Sequence, residues 1–308
     1  MDNCPQHGWS SDEWQKHVDA VLHQHFSILG HKYQRVADGV LGDGGLEGFS
    51  SDGQAFQAYA DQNSNSKAER LEKLKNKISD DIPKLKKHEK EWASRLGDLK
   101  LKHWTLVVPI YEDKAVLSHA LKKAKELRDA KLPFISKDFR AYVCDINAFP
   151  AAVQQITDSP HLKIKLNAPA IVDDDLAAYE KNKPKDIVTI DNKLSKVATL
   201  NSNKKILECR RDYLKRYLYR ENLLEILGRR HPPLKEKIDE LLAVKSMDIV
   251  TDSRLDTTPP NQRLRDVKDS LQRELEETIR GLSSNNHSDI AYGTIGHWLI
   301  NCNLRFNE

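Results

Sequence analysis

The residues of this chain that could do chemistry together lie in one glycine-rich stretch, GDGGLEGFSSDGQAFQAYA, over residues 42–60. It places carboxylates at Asp43 and Glu47 and an amide at Gln57 around two short apolar runs. Side chains on neighbouring strands lie close together, so Glu47 and Gln57 could both point to one side of a hairpin. Carboxylate and amide oxygens bind Mg2+ or Mn2+, and such an ion polarises a phosphoryl group and supplies a water for attack. The stretch suits phosphodiester hydrolysis, although an ordinary hairpin with polar faces would contain the same residue types.

The flanking segments predict a small α/β domain that would position this hairpin. A helix-start signal at Ser10 to Glu13 opens an amphipathic helix that ends near Gly30. Glycine and aspartate turns then separate three short extended segments, at residues 33–36, 45–49 and 54–60. The stretch of residues 42–60 therefore supplies the second and third strands of a sheet.

The next part of the chain alternates helices with strands. It contains a lysine-rich helix over 66–92 with a possible kink at Pro83, a buried strand over 101–109, a helix over 115–130 and a strand over 139–146. The predicted order is helix, three strands, helix, strand, helix, strand.

The second half of the chain is predicted to be helical. Proline, asparagine and charged residues interleave over 156–195, which we interpret as a connector. Amphipathic patterns then predict three helices, at 197–227, 235–244 and 264–280, and the apolar C-terminal segment is expected to dock on them. The predicted domains are 1–155, an α/β domain, and 196–308, a helical domain.

Composition limits the function classes. The 308 residues carry a formal net charge of only +3, so any nucleic-acid surface must be a local patch. The run RRDYLKRYLYR over 210–220 is one candidate, as a DNA-contacting face or a partner-binding helix. The four cysteines lie far apart, as expected for reduced thiols, and no apolar run reaches the ~18 residues of a membrane span. We therefore expect a cytoplasmic protein that does not enter membranes.

The hairpin resembles the PD-(D/E)xK nuclease superfamily, and most closely its Mrr-like restriction endonuclease branch. The motif of that branch reads G-D-G-G-hydrophobic-D, a turn, then Q-x-K on the next strand. Here Glu47 in GDGGLEG takes the place of the metal-binding aspartate, and Gln57 in FQAY takes the place of the glutamine. The match includes the predicted element order and covers roughly residues 10–145. The resemblance implies a Mg2+-dependent DNA endonuclease whose metal ligands are Glu47, Gln57 and Asp43.

Two further residues enter through the resemblance. Families of this kind often carry an acid on the first helix that bears on the metal indirectly, which implies this role for Glu13. Where the family has its catalytic lysine, this chain has Tyr59. A tyrosine donates a hydrogen bond but supplies no ammonium at neutral pH, so another basic residue would have to supply the charge.

The stretch is also similar to nuclease-like proteins found with ATPases in bacterial phage-defence operons of the ABC-three-component kind. This similarity implies an ATPase or another defence-system subunit as partner, and a homo-oligomer is compatible with double-strand cleavage. The alternative from the same residues is a catalytically degenerate nuclease fold that acts as an adaptor, binding DNA or the ATPase partner.

Overall fold

The computed structural model of the protein describes residues 7–36, 44–64, 66–159, 163–301, 304 and 306. The chain divides into two compact units, Met1–Ile156 and Thr157–Glu308. Each unit buries its own apolar residues, as a domain of about 150 residues can. No helix in the described part of the chain is long and apolar enough to cross a membrane.

The first unit contains a five-stranded mixed sheet, and the predicted α/β class is confirmed. Its strands lie side by side in chain order: β1 (Tyr33–Arg35), β2 (Gly48–Ser50), β3 (Gln54–Ala58), β4 (Leu101–Val107) and β5 (Ile135–Cys144). The first three strands are antiparallel, and β3, β4 and β5 are parallel. The predicted hairpin is therefore present as β2 and β3.

Helices cover both faces of this sheet. They are α1 (Ser11–Ile28), α2 (Lys67–Lys87), α3 (Glu89–Leu96), α4 (Lys114–Asp129) and α5 (Pro150–Asp158). Because strand side chains alternate, Phe56 and Val107 pack with α1 and α5. Ala55 and Leu106 pack with α2, α3 and α4 on the other face. The central strands are thus buried on both sides, as parallel strands usually are.

The second unit is helical. Its helices are α6 (Asp173–Asn182), α7 (Pro184–Leu194), α8 (Asn203–Arg230), α9 (Pro232–Asp252), α10 (Pro260–Thr278) and α11 (Ser284–Ile300). The C-terminal helix α11 packs against α8 and α10, as predicted. Gly293 and Gly296 make the approach to α8 possible, because a β-carbon at Gly293 would collide with Arg220.

One prediction about these elements is wrong, and another is confirmed only in part. The segment 156–195, interpreted as a connector, forms α6 and α7 and contributes Leu176, Ile190 and Leu194 to the helical core. Because these buried residues are few and lie among many charged ones, the sequence shows little helical periodicity of apolar residues. The helix over 66–92 is interrupted at His88 and passes through Pro83 without ending.

Part of the basic run over 210–220 faces inward, while Lys215 and Arg216 are exposed. Arg210 forms ion pairs with Asp191 at 2.6 Å and Glu180 at 3.3 Å, and Arg220 is buried. Tyr213 and Tyr217 pack against the helical core. The acids that neutralise Arg210 come from α6 and α7, so the run itself gave no sign of them. With Lys215 and Arg216 exposed, a DNA-contacting face or a partner-binding helix on this run stays a prediction.

Candidate functional site

The start of the β2–β3 hairpin is fixed by two buried indoles. The Trp92 and Trp104 N–H groups donate to the carbonyl oxygens of Gly44 and Gly45, each at 3.1 Å. A β-carbon at Gly45 would collide with the Asp81 carbonyl oxygen on α2, and one at Gly48 would collide with the Tyr33 hydroxyl. These glycines allow close packing of the hairpin against its neighbours.

Glu47 and Gln57 line one enclosed cavity between the hairpin and α1. The Glu47 N–H donates to the Phe56 carbonyl and the Glu47 carbonyl accepts from the Val36 N–H, each at 2.8 Å. These bonds fix Glu47 between β1 and β3. The cavity measures about 10 Å³, which is room for one water-sized atom. Both residues on which the motif depends therefore border this cavity.

The helix α1 supplies partners at this cavity that the sequence did not single out. The Gln15 amide donates a short hydrogen bond to the Glu47 carboxylate. Asp19, one turn further along α1, also lines the cavity. Its Oδ1 is buried and accepts no hydrogen bond from the described residues, and His23 Nε2 lies 3.9 Å from it. The i, i+4 spacing of Gln15 and Asp19 on one helical face was the available signal.

The pKa of the Tyr33 hydroxyl reflects the charges around the cavity. Burial raises the pKa of its hydroxyl most, and the charges of Asp19 and then Glu47 raise it further. Arg35, which also lines the cavity, opposes this effect. Two carboxylates and one guanidinium thus act on the same small space.

Glu13 lies at the start of α1. Its carboxylate accepts from the Ser10 N–H at 3.1 Å and from the Ser10 hydroxyl at 2.8 Å. The Glu13 N–H donates back to Ser10 Oγ, which completes a capping box. These contacts explain Glu13 as a helix cap, and Asp19 is the acid of α1 that lines the cavity.

Tyr59 packs against the core on the α2 face of the sheet. Burial, and then the charge of Asp61, raise the pKa of Tyr59, so its hydroxyl stays protonated at neutral pH. The Lys77 ammonium lies 5.9 Å from the centre of its ring. Tyr59 is therefore not a source of charge, but a cation from α2 lies beside it.

That cation belongs to a buried cluster on α2. The fully buried Asp81 carboxylate pairs with Lys77 Nζ at 2.8 Å and with Lys84 Nζ at 2.7 Å. Two ammonium groups are thus held on the helix that packs against Gly45 and Tyr59.

The described residues contain no group of three His, Cys, Asp or Glu side chains close enough to hold a metal ion. Asp43, the third predicted ligand, lies outside the described residues. The donors at the cavity are the Glu47 and Asp19 carboxylates. The Gln57 side chain alternates with Phe56 and Ala58, which face α1, and its Oε1 accepts from the Ala58 N–H at 3.0 Å. Oxygen donors of this kind, with one Asp19 oxygen unsatisfied, fit a hard divalent cation in their chemistry.

Comparison of the chain with protein-family models, with curated proteins and with solved structures finds no match.

Proposed function

We propose that the first unit is a Mg2+- or Mn2+-dependent DNA endonuclease with a restriction-endonuclease-like fold. The observation that carries the proposal is that Glu47 and Gln57 line one cavity together with Asp19 and Arg35. The order of helices and strands around the hairpin, predicted from residue patterns along the chain, is compatible with the same fold.

Glu47 and Asp19 would hold the cation, with Gln57 and Asp43, the other ligands that the motif implies, as further candidates. When bound, the cation polarises a phosphoryl oxygen and lowers the pKa of a water. Gln15 orients the Glu47 carboxylate through its hydrogen bond. Arg35 at the cavity and Lys77 beside Tyr59 are the candidates for the positive charge that the motif places at a lysine. Because the cavity holds one water-sized atom, DNA must reach it from outside, and the walls must open to admit a hydrated ion.

The helical second unit would connect this nuclease to a regulatory partner, an ATPase or another subunit of a bacterial defence or restriction system. This part of the proposal rests on the similarity of the hairpin to nuclease-like proteins of such operons.

The test is cleavage of plasmid DNA by the purified chain with Mg2+ or Mn2+, with and without a chelator. Glu47→Gln removes the carboxylate at the cavity, and Glu13→Gln makes the same change at the capping box. We expect cleavage by the wild type and by Glu13→Gln, and a large loss in Glu47→Gln.

A second candidate is an adaptor that binds DNA or the ATPase partner without cutting. The small volume of the cavity and the packing of Tyr59 favour it. Metal-independent DNA binding by the wild type and by Glu47→Gln, with no cleavage by either, would establish the adaptor and exclude the nuclease.

A further inference from the structure

A second cavity, of about 820 Å³, lies at the opposite end of the parallel strands from Gln57. It is formed by the start of β4, the loop after α4 and the start of β5, and we call it the basic cavity. Gln57 is in register with Leu106, near the far end of β4 from Leu101. At about 3.3 Å per residue the two positions are roughly 15 Å apart along the strand. The basic cavity is thus separate from the candidate nuclease site.

Two departures from regular backbone form this cavity. Leu101 pairs with Ile135 but His103 pairs with Arg140, so β5 bulges away from β4 between these pairs. Lys131 has a φ of 55°, and it is the one residue other than glycine with a positive φ in the described part of the chain. Bulges and left-handed residues of this kind concentrate at functional sites. Both distortions border the cavity, since Lys131 and the bulged residues Ile135 to Asp138 are part of its lining.

The charges around the basic cavity are unbalanced. Its lining includes four cationic side chains, those of Lys100, Arg128, Lys131 and Lys137. None of them forms an ion pair with any residue that the structure describes, although Lys100 Nζ donates to the Pro133 carbonyl and Arg128 donates to the Phe139 carbonyl at 3.5 Å. Asp138 is the one acid in the lining. Like charges that share a concave surface repel one another, and an anion that enters relieves this repulsion.

Polar and apolar groups complete the lining. The Ser136 hydroxyl oxygen accepts from the Asp138 N–H at 3.3 Å, and its own proton remains available to a ligand oxygen. Leu132 is buried beneath the cavity and Ile135 is half-buried beside it. The lining thus offers cations and a hydroxyl for an anion, and apolar surface for the rest of a molecule.

We propose that the basic cavity binds a small molecule that carries a diphosphate or triphosphate group. One phosphate carries a charge of about −1.5 to −2, so four cations match more than one phosphate. The volume lies within the range of small-molecule sites, roughly 300–1,000 Å³. A nucleic-acid backbone would use the cations and leave the apolar surface without a partner. This site goes beyond the proposed nuclease activity and does not depend on it.

The test is calorimetric titration of the full chain with inorganic pyrophosphate, with ATP and with a short DNA duplex. The double variant Lys131→Gln, Lys137→Gln removes two cations from the cavity. The matched control Lys122→Gln, Lys125→Gln removes two exposed lysines of α4 outside the lining.

We expect pyrophosphate and ATP to bind the wild type and the control equally, and to bind the cavity variant about tenfold or more weakly. Circular dichroism and thermal unfolding of each variant establish that it is folded. The proposal is overturned by the absence of pyrophosphate and ATP binding to the wild type, by binding of the duplex alone, or by an equal loss in the control.

Discussion

The backbone of Gly45 has a φ of +90°, and a β-carbon there would collide with the Asp81 carbonyl oxygen on α2. Gly30 has a similar φ of +74°, but a β-carbon there would meet nothing within 4 Å. Alanine substitutions at these two glycines therefore separate the cost of a positive φ from the cost of a steric collision. We expect Gly30→Ala to lower the free energy of unfolding by about 1 kcal/mol, and Gly45→Ala by about 3 kcal/mol or more. Urea unfolding measures both, and equal losses would show that the hairpin does not pack on α2 at this point.

The positions of individual residues in the structure also show which parts of the site could be predicted from the sequence. Glu47 and Gln57 were found because their spacing across a two-strand turn brings them together in any hairpin of that register. Asp19 was missed because its role depends on which face of α1 meets the hairpin, and Phe56 and Tyr33 determine that contact. Glu13 was chosen for its position near the start of α1, where a capping box explains the same residue.

At the scale of elements, α2 shows how a lysine-rich helix can carry a buried charge. Its sequence is typical of a solvated face, yet Asp81 is fully buried between Lys77 and Lys84. Sequence spacing predicts such i, i+3 and i, i+4 pairs but not their burial, which requires the hairpin to cover them. The interpretation of residues 156–195 as a connector was wrong for a related reason. Helices α6 and α7 become buried only when α8 and α11 are in place.

The two lysines share one carboxylate, so their contributions to stability are coupled. We expect Lys77→Met and Lys84→Met each to lower the free energy of unfolding by about 1 kcal/mol, because one cation remains. The double variant should lose about 3–5 kcal/mol, because Asp81 is then buried without a counter-charge. Addition of Asp81→Asn should recover part of that loss. Strictly additive losses in denaturant unfolding would contradict the shared ion pair.

Helix α11 buries a histidine that makes the second unit sensitive to acid. Burial lowers the pKa of His287 below its ordinary value of 6.5, and the hydrogen bond to the Ile279 carbonyl at 3.0 Å offsets burial only in part. Burial also lowers the pKa of His297. Below pH 6.5 the unfolded chain therefore takes up protons that the folded chain does not, and stability falls with falling pH until the folded pKa is reached.

The expected slope in this window is about 1.4 kcal/mol per pH unit for each such histidine. His287→Gln keeps a donor toward Ile279 and removes the titration, so its stability should depend less on pH. Calorimetry of the full chain above and below pH 6.5 measures the difference. A variant with the same pH dependence as the wild type would exclude His287 as a cause.

At the scale of the whole molecule, the chain consists of two units with separate cores. We expect residues 1–158, which keep α5 whole, and residues 159–308 each to fold when expressed alone. Each should give a cooperative thermal transition and the circular dichroism of its elements. A unit that stays unfolded by itself would show that its core is incomplete without the other.

We propose for the whole molecule that the cavity between α1 and the hairpin is a metal-dependent nuclease site. The direct measurement is the single-turnover rate of plasmid cleavage with Mg2+ or Mn2+, for the wild type, Glu47→Gln and Glu13→Gln, with candidate partner subunits added. We expect the wild type to cleave the plasmid in a reaction that the chelator stops. Glu47→Gln should slow this cleavage by about a hundredfold or more, and Glu13→Gln should leave its rate nearly unchanged. Intact plasmid with every protein, or equal cleavage by the wild type and Glu47→Gln, would contradict this proposal.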